Sequence, residues 1–137
     1  MYELLPIWIK PAATIFNKKK IKFKNGCSIT VSPTTPSAAR GQSCDILIVD
    51  EMAFIPSKIM NDLWSSVYPV VSSDPRTKVL LVSTPNGTAN LYHDIWVKAE
   101  KSCSEDGWKP FRIDWWDVPG HDEEWKRKTL LDLNGDE

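Results

Sequence analysis

The chain has 137 residues, of which 42% are hydrophobic and 26% are charged. That length is typical of one domain, and the composition excludes a largely disordered protein. No apolar run reaches the roughly 18 residues that a membrane span requires. The start of the chain has neither the basic region nor the apolar core of a signal peptide. We therefore expect a soluble cytosolic protein.

The net charge of −1 conceals a gradient along the chain. Residues 1–44 carry a net charge of +6, residues 45–103 carry −2, and residues 104–137 carry −5. Such asymmetry is typical of a surface that binds nucleic acid or another partner. A segment cut from a longer chain can show the same drift, so charge alone leaves both interpretations open.

Cysteine and histidine give no sign of a disulfide framework or a zinc site. Cys27, Cys44 and Cys103 are scattered and include no Cys-x-x-Cys pair, and the two histidines, His93 and His121, are isolated. An odd, dispersed set of cysteines is typical of reduced intracellular thiols. We expect no structural metal.

The first element that the sequence predicts is a β-hairpin over residues 18–31. Apolar residues alternate with lysines over residues 20–24, and Asn25-Gly26 is a strong signal for a two-residue turn. The lysines would either contact nucleic-acid phosphates or protect an exposed sheet edge from pairing. Edge protection is the favoured interpretation because lysine commonly serves it.

Two later segments predict strands that are buried on both faces. Residues 46–51 and 78–84 each contain a continuous run of branched apolar residues without alternation. A helix is predicted between them from about residue 57 to residue 67, and Thr88 is predicted to cap a second one. This order gives an α/β fold with an open, mostly parallel sheet that helices cover on both faces. Residues 108–137 are predicted to add a strand at 109–115 and a final helix at 122–133.

The candidate chemistry lies at the carboxyl ends of the two apolar strands, where open α/β sheets bind their ligands. Asp50 and Glu51 follow the first strand directly, which is the Walker B arrangement with a catalytic acid added. Asp50 would hold Mg²⁺ beside nucleotide phosphates, through water, and Glu51 would deprotonate the attacking water. A solvated acidic turn would look the same locally.

A second motif follows the other strand. Ser83-Thr84-Pro85-Asn86-Gly87 places two small hydroxyls at the strand end, where they can contact a γ-phosphate or its attacking water. A simple Pro-Asn-Gly turn is the alternative interpretation. Upstream, a guanidinium such as that of Arg40 could stabilise a transferring phosphate or merely form a surface ion pair.

The usual phosphate-binding loop is absent from these 137 residues. No Gly-x-x-x-x-Gly-Lys-Ser/Thr sequence occurs, and residues 41–43 do not substitute for it. Without that loop and its lysine, ATP lacks its main binding site. The fold is therefore expected to be an incomplete P-loop NTPase, lacking the Walker A strand, loop and helix.

The combination of these motifs resembles the large terminase subunit of tailed bacteriophages of the T-even type. The resemblance rests on the order and spacing of several segments and covers nearly the whole chain. They are Ala-Arg-Gly-Gln-Ser at 39–43, Ile-Leu-Ile-Val-Asp-Glu-Met-Ala-Phe at 46–54, Ser-Thr-Pro-Asn-Gly at 83–87, Leu-Tyr-His-Asp-Ile-Trp at 91–96 and Phe-Arg-Ile-Asp-Trp at 111–115.

The resemblance implies part of the ATPase domain of a motor that packs DNA into a procapsid. It makes Asp50 the Walker B aspartate and Mg²⁺ ligand, Glu51 the catalytic glutamate, Ser83 and Thr84 the coupling motif, and Arg40 a finger arginine for a neighbouring subunit. The implied cofactors are ATP and Mg²⁺. The implied partners are double-stranded DNA, the portal protein, the small terminase subunit and further copies in a ring.

Two parts of the family pattern do not occur in this sequence, the Walker A segment and the nuclease domain. Either the chain is a fragment of a split or truncated gene, or a complementary polypeptide that carries Walker A supplies the rest. In both cases we expect no ATP hydrolysis by the chain alone. We also expect exposed apolar surface. The implied location is the host cytoplasm at the portal vertex, not the mature virion. The alternatives are a fragment of a DExx-type helicase, and a non-catalytic remnant or interaction module.

Overall fold

The computed structural model describes residues 2–35, 43–102 and 107–133, and it confirms an α/β protein. The chain forms two compact units, Met1–His93 and Asp94–Glu137. Within the described ranges, no helix has the length and apolar character that a membrane span requires. The elements, in chain order, are β1 (Ala13–Phe16), β2 (Lys20–Phe23), β3 (Ser28–Thr30), β4 (Ile46–Val49), α1 (Ser57–Ser72), β5 (Lys78–Leu81), α2 (Leu91–Ser102) and α3 (Glu123–Asp132).

Strands β1, β2 and β3 form an antiparallel sheet in that order. β2 and β3 lie within the segment predicted as a hairpin, and β1 was not predicted. The Asn17 side chain fixes the turn between β1 and β2, because its Oδ1 accepts hydrogen bonds from the backbone N–H groups of Lys19 and Lys20, both at 2.9 Å. Gly26 in the second turn has φ +89°, a value that glycine adopts without strain.

Strands β4 and β5 form a separate, two-stranded parallel sheet. The parallel pairing agrees with the prediction, but the single, mostly parallel sheet does not, because three of the five described strands are antiparallel. The prediction that both faces are covered was also wrong. Ile46 and Ile48 of β4 are 58% and 63% exposed, whereas Val49 is buried.

The buried core of the first unit lies on one face of this strand pair and on α1. Helix α1 runs to Ser72, five residues past its predicted end at Val67, and it contains Pro69. The residues buried in this unit are Val49, Met52, Ala53, Met60, Leu63 and Val67. Met52 and Met60 are each only 1% exposed, so the core is centred on α1 and on the turn that follows β4.

The second unit contains no strand in its described residues, which corrects the predicted strand at 109–115. Phe111 and Ile113 are 82% and 63% exposed, so their alternation faces solvent and not a neighbouring strand. The segment ends in a 3-10 turn at Trp115–Asp117, and Asp114 forms a capping box at the start of this turn. Helix α3 follows, and Asp122 is its N-cap, because the Asp122 Oδ1 accepts the Trp125 backbone N–H at 2.8 Å.

Candidate functional site

The ends of β4 and β5 lie side by side, and backbone hydrogen bonds continue past both strands. The Val82 N–H donates to the Val49 carbonyl oxygen at 2.9 Å, and the Met52 N–H donates to the Val82 carbonyl oxygen at 3.2 Å. Because the strands are parallel, the residues after them share one edge of the sheet. The structure thus brings the Asp50-Glu51 pair and the Ser83-Thr84 pair to the same edge.

The two acidic residues are held in different ways. Asp50 is exposed, and its Oδ1 accepts the Glu51 backbone N–H at 3.0 Å. Glu51 has φ 52° and ψ 37°, in the left-handed region. Among the described residues it is the one non-glycine with a positive φ. Such a conformation costs roughly 1–2 kcal/mol for a residue with a Cβ, so the surrounding structure holds it in place.

Two side chains of the segment after β5 form hydrogen bonds with the backbone N–H and the backbone carbonyl of Ala53. The Ser83 hydroxyl oxygen accepts the Ala53 N–H at 3.0 Å, and the Asn86 amide nitrogen donates to the Ala53 carbonyl oxygen at 3.1 Å. We call this pair of hydrogen bonds the Ala53 clamp. Ala53 is buried and lies two residues after Glu51. The clamp therefore fixes the short 3-10 turn, Met52–Phe54, that follows the left-handed residue.

The two hydroxyls of the second motif are in different situations. Besides accepting from Ala53, the Ser83 hydroxyl donates to the Thr84 carbonyl oxygen at 2.9 Å, so its donor is already used. Thr84 is exposed, and among the described residues its hydroxyl has no hydrogen-bond partner. Of the two, Thr84 has the hydroxyl that is free to meet a ligand.

The loop after the second motif is tied to both neighbouring helices. Asn90 caps α2, because its Oδ1 accepts the His93 backbone N–H at 2.9 Å. The predicted cap, Thr88, lies two residues too early. The Asn90 amide also donates to the Asn86 and Gly87 carbonyl oxygens, at 2.9 and 3.2 Å. At the other helix, the Ser57 hydroxyl at the start of α1 donates to the Ala89 carbonyl oxygen at 3.2 Å.

Sequence reasoning named Asp50, Glu51, Ser83 and Thr84 as candidates, but not the hydrogen bonds that connect the two strand ends. Asn86 was interpreted only as a turn residue and Ala53 not at all, although the spacing of the two motifs along adjacent strand ends could have indicated contact between them. Arg40, the predicted finger arginine, lies outside the described residues, as does the segment 39–42.

Charge at the site comes from carboxylates that have no cationic partner in the part of the chain that the structure describes. The ion pairs that shift a pKa lie elsewhere. The Arg76 guanidinium lowers the pKa of Asp74 before β5 begins, and Asp114 raises the pKa of Arg112 in the second unit. Residues 2–35, 43–102 and 107–133 contain no group of three or more acidic, histidine or cysteine side chains that could hold a metal ion.

Comparison with known families identifies the chain. Residues 5–137 match the model of the family described as "Terminase large subunit, T4likevirus-type, N-terminal". The partners of that family are, in general, DNA and components of the packaging machinery such as the portal and the small subunit. The chain, with its paired motifs at the ends of β4 and β5, therefore belongs to the N-terminal family of T4-like large terminase subunits, which implies a role in phage DNA packaging.

Proposed function

We propose that the chain supplies the hydrolytic residues of the ATPase that drives phage DNA packaging, on a P-loop NTPase-like fold. One observation carries this proposal. Two parallel strands end side by side, and Asp50-Glu51 follows one of them while Ser83-Thr84 follows the other. Hydrogen bonds to the backbone N–H and carbonyl of Ala53 join the two ends. A solvated acidic turn has no need of such a connection.

The donor set at Asp50 fits Mg²⁺. One carboxylate oxygen accepts the neighbouring N–H, and the other has no hydrogen-bond partner among the described residues. Mg²⁺ is usually bound by one or two carboxylates together with substrate phosphates, and it keeps several waters. Asp50 would hold the ion through water. The bound ion would neutralise charge that develops on the β- and γ-phosphate oxygens.

Glu51 is proposed as the general base. Its carboxylate would orient the attacking water and accept the proton that the water loses as its oxygen approaches the γ-phosphorus. Asp50 and Glu51 are consecutive, and we assign them different functions because the Asp50 carboxylate accepts the Glu51 N–H whereas Glu51 itself has a left-handed backbone. Residues held in such conformations are often found at functional sites.

The hydrogen bonds divide the coupling motif into two roles. We assign Thr84 to the nucleotide, because its hydroxyl is exposed and unbonded in the described chain. Ser83 would then connect Thr84 to Ala53, since its hydroxyl bonds both residues. A shift of Thr84 on hydrolysis would in this way reach Glu51 through two hydrogen bonds.

Several parts of the proposal involve residues or partners beyond the described site. Arg40 would act as a finger arginine toward a neighbouring subunit of a ring. A complementary polypeptide would supply the Walker A segment that tight ATP binding requires. The partners would be double-stranded DNA, the portal protein and the small terminase subunit, and the place would be the host cytoplasm at the portal vertex.

The test is Mg²⁺-dependent ATP turnover, measured on the chain alone and together with a terminase polypeptide that carries Walker A. We expect turnover only in the combination. Glu51→Gln should lower it by about 10²–10⁴-fold while nucleotide binding persists, because it removes the base and preserves the shape of the side chain. Glu124→Gln, which removes an exposed carboxylate from α3, is the matched control and should leave turnover unchanged.

Other outcomes separate the alternatives. Equal turnover in the Glu51→Gln variant and the parent would contradict the assigned base. If the combination has no affinity for ATP, the chain is a non-catalytic module. DNA unwinding without procapsid-dependent translocation would identify a helicase-type ATPase.

A further inference from the structure

The antiparallel sheet of the first unit has two chemically different faces. Lys20 pairs directly with Thr30, and Lys22 pairs directly with Ser28, so two lysines and two hydroxyls share one face. We call these four residues the lysine face. The opposite face is apolar and aromatic and includes Ile21, since side chains alternate along a strand.

Edge protection does not explain these lysines. β2, which carries Lys20 and Lys22, is the middle strand of the sheet, with β1 on one side and β3 on the other. The two outer strands, where lysine would block unwanted pairing, have the sequences Ala-Thr-Ile-Phe and Ser-Ile-Thr and contain no lysine. The interpretation that the sequence favoured is therefore wrong for this sheet.

The lysines are also unneutralised. No aspartate or glutamate occurs anywhere in residues 4–44, although at the chain's average frequency about five would be expected in 41 residues. In the described ranges, none of the lysines between residues 18 and 24 forms an ion pair. Two exposed lysines on one face without a neighbouring acidic residue form a locally positive surface, which attracts a ligand of opposite charge.

The backbone beneath the lysine face is fixed. The Asn17 side chain accepts two backbone N–H groups in the turn that precedes Lys20, and Asn25 accepts the Cys27 N–H at 3.0 Å in the next turn. On the apolar face, the Tyr2 ring packs against Phe16 and Phe23, with centroids 5.3 and 5.9 Å away. The two cations are thus presented from a preorganised sheet.

We propose that the lysine face binds the sugar–phosphate backbone of double-stranded DNA. This inference rests on the proposed function in one respect only, that DNA is the partner in packaging. Alternate residues of a strand are about 7 Å apart, so the two ammonium groups can reach different phosphates of one DNA strand. Lysine together with serine or threonine hydroxyls is a frequent phosphate-contacting set. Contacts of this kind read no base sequence, as a motor that moves along any DNA requires.

The test is binding of the 137-residue chain to a fluorescent 30-base-pair duplex, followed by anisotropy without nucleotide or Mg²⁺. The variant K20Q/K22Q should weaken binding about tenfold at 50 mM salt. It should also make the salt dependence shallower: the negative slope of log affinity against log salt should decrease in magnitude by about two, because each phosphate contact contributes about 0.9. The control K58Q/K101Q removes the same charge from exposed positions on α1 and α2 and should change little.

Equal weakening by both double variants would overturn the proposal, because net charge alone would then govern binding. Competition by polyglutamate as strong as that by unlabelled duplex would also overturn it and would favour an acidic protein partner. K20R/K22R should bind as tightly as the parent chain. A failure of the ATPase proposal is distinguishable, because the binding assay contains neither nucleotide nor Mg²⁺ and its outcome does not depend on ATP turnover.

A second measurement needs no variant. Acylation of lysine amines by an N-hydroxysuccinimide ester, read by mass spectrometry, should fall at Lys20 and Lys22 when duplex is added and stay constant at Lys58 and Lys101. Unchanged labelling of Lys20 and Lys22 at saturating duplex would contradict the proposal.

Discussion

The two sheets of the first unit differ in where their candidate polar residues lie relative to the strands. On β2, polar and apolar residues alternate, so the lysines of the proposed DNA-binding face lie on the strand itself and on one side of the sheet. In the β4–β5 pair the strands are apolar except for Lys78 at the start of β5, and the candidate polar groups come after their ends. The antiparallel sheet therefore presents its candidate groups on one of its faces, whereas the parallel pair positions the turns that follow its strands.

The two candidate sites therefore depend on different interactions. The lysine face depends on strand register, because a shift by one residue would move every lysine to the aromatic side. The Asp50-Glu51 site depends on backbone geometry and on the Ala53 clamp. Substitutions in the core under β4 and β5 should therefore affect stability strongly, and substitutions on the lysine face should affect binding alone.

Truncation of the core tests this contrast with the largest expected effect. Met60→Ala should lower the free energy of unfolding by about 2–5 kcal/mol, because the side chain is 1% exposed and its loss leaves a cavity. Urea denaturation followed by circular dichroism would measure the change. Ile21→Ala on the half-buried face of β2 is the comparison, and it should cost less than half as much. Equal costs would show that the two sheets are equally important for stability.

Breaking the Ala53 clamp should have an intermediate effect. Asn86→Ala leaves the buried Ala53 carbonyl without its side-chain donor, which should cost about 1–3 kcal/mol. Amide hydrogen exchange should accelerate in the Met52–Phe54 turn. Thr88→Ala, at an exposed position in the same loop, is the matched control and should leave both quantities near their parental values.

The clamp also has a functional consequence that stability does not report. In the assembly that turns over ATP, Asn86→Ala should lower kcat more than it changes KM, because Glu51 loses its orientation while the nucleotide contacts remain. Parental turnover in a folded Asn86→Ala variant would show that the clamp has no part in positioning Glu51.

The sequence predicted the parts of the fold that depend on local pattern. Continuous branched apolar runs indicated β4 and β5, and the Asn25-Gly26 turn indicated the hairpin that β2 and β3 form. The strand predicted at 109–115 was wrong because alternation only predicts a strand if another strand pairs with it. Phe111 is instead exposed, and the chain turns at the Asp114 capping box.

The candidate site was predictable in its residue types but not in its connections. Asp50, Glu51, Ser83 and Thr84 follow apolar runs, which pattern reveals. The clamp joins positions 30 and 33 residues apart through hydrogen bonds between side chains and backbone, and these depend on how two loops meet. The left-handed conformation of Glu51 could not be predicted from the sequence either, because glutamate has no preference for it.

That conformation allows a test with the smallest expected effect and a clear sign. Glycine adopts positive φ without a steric cost, although it loses more backbone entropy on folding. Glu51→Gly should therefore raise the free energy of unfolding by about 0.5–1 kcal/mol, measured by urea denaturation, while removing the proposed base. Glu51→Gln keeps the strained backbone and should leave stability nearly unchanged. Glu124→Gly in α3, where glutamate is helical, should instead destabilise by about 1 kcal/mol. If Glu51→Gly destabilises as Glu124→Gly does, Glu51 is not strained, and its conformation is not a stability cost retained for catalysis.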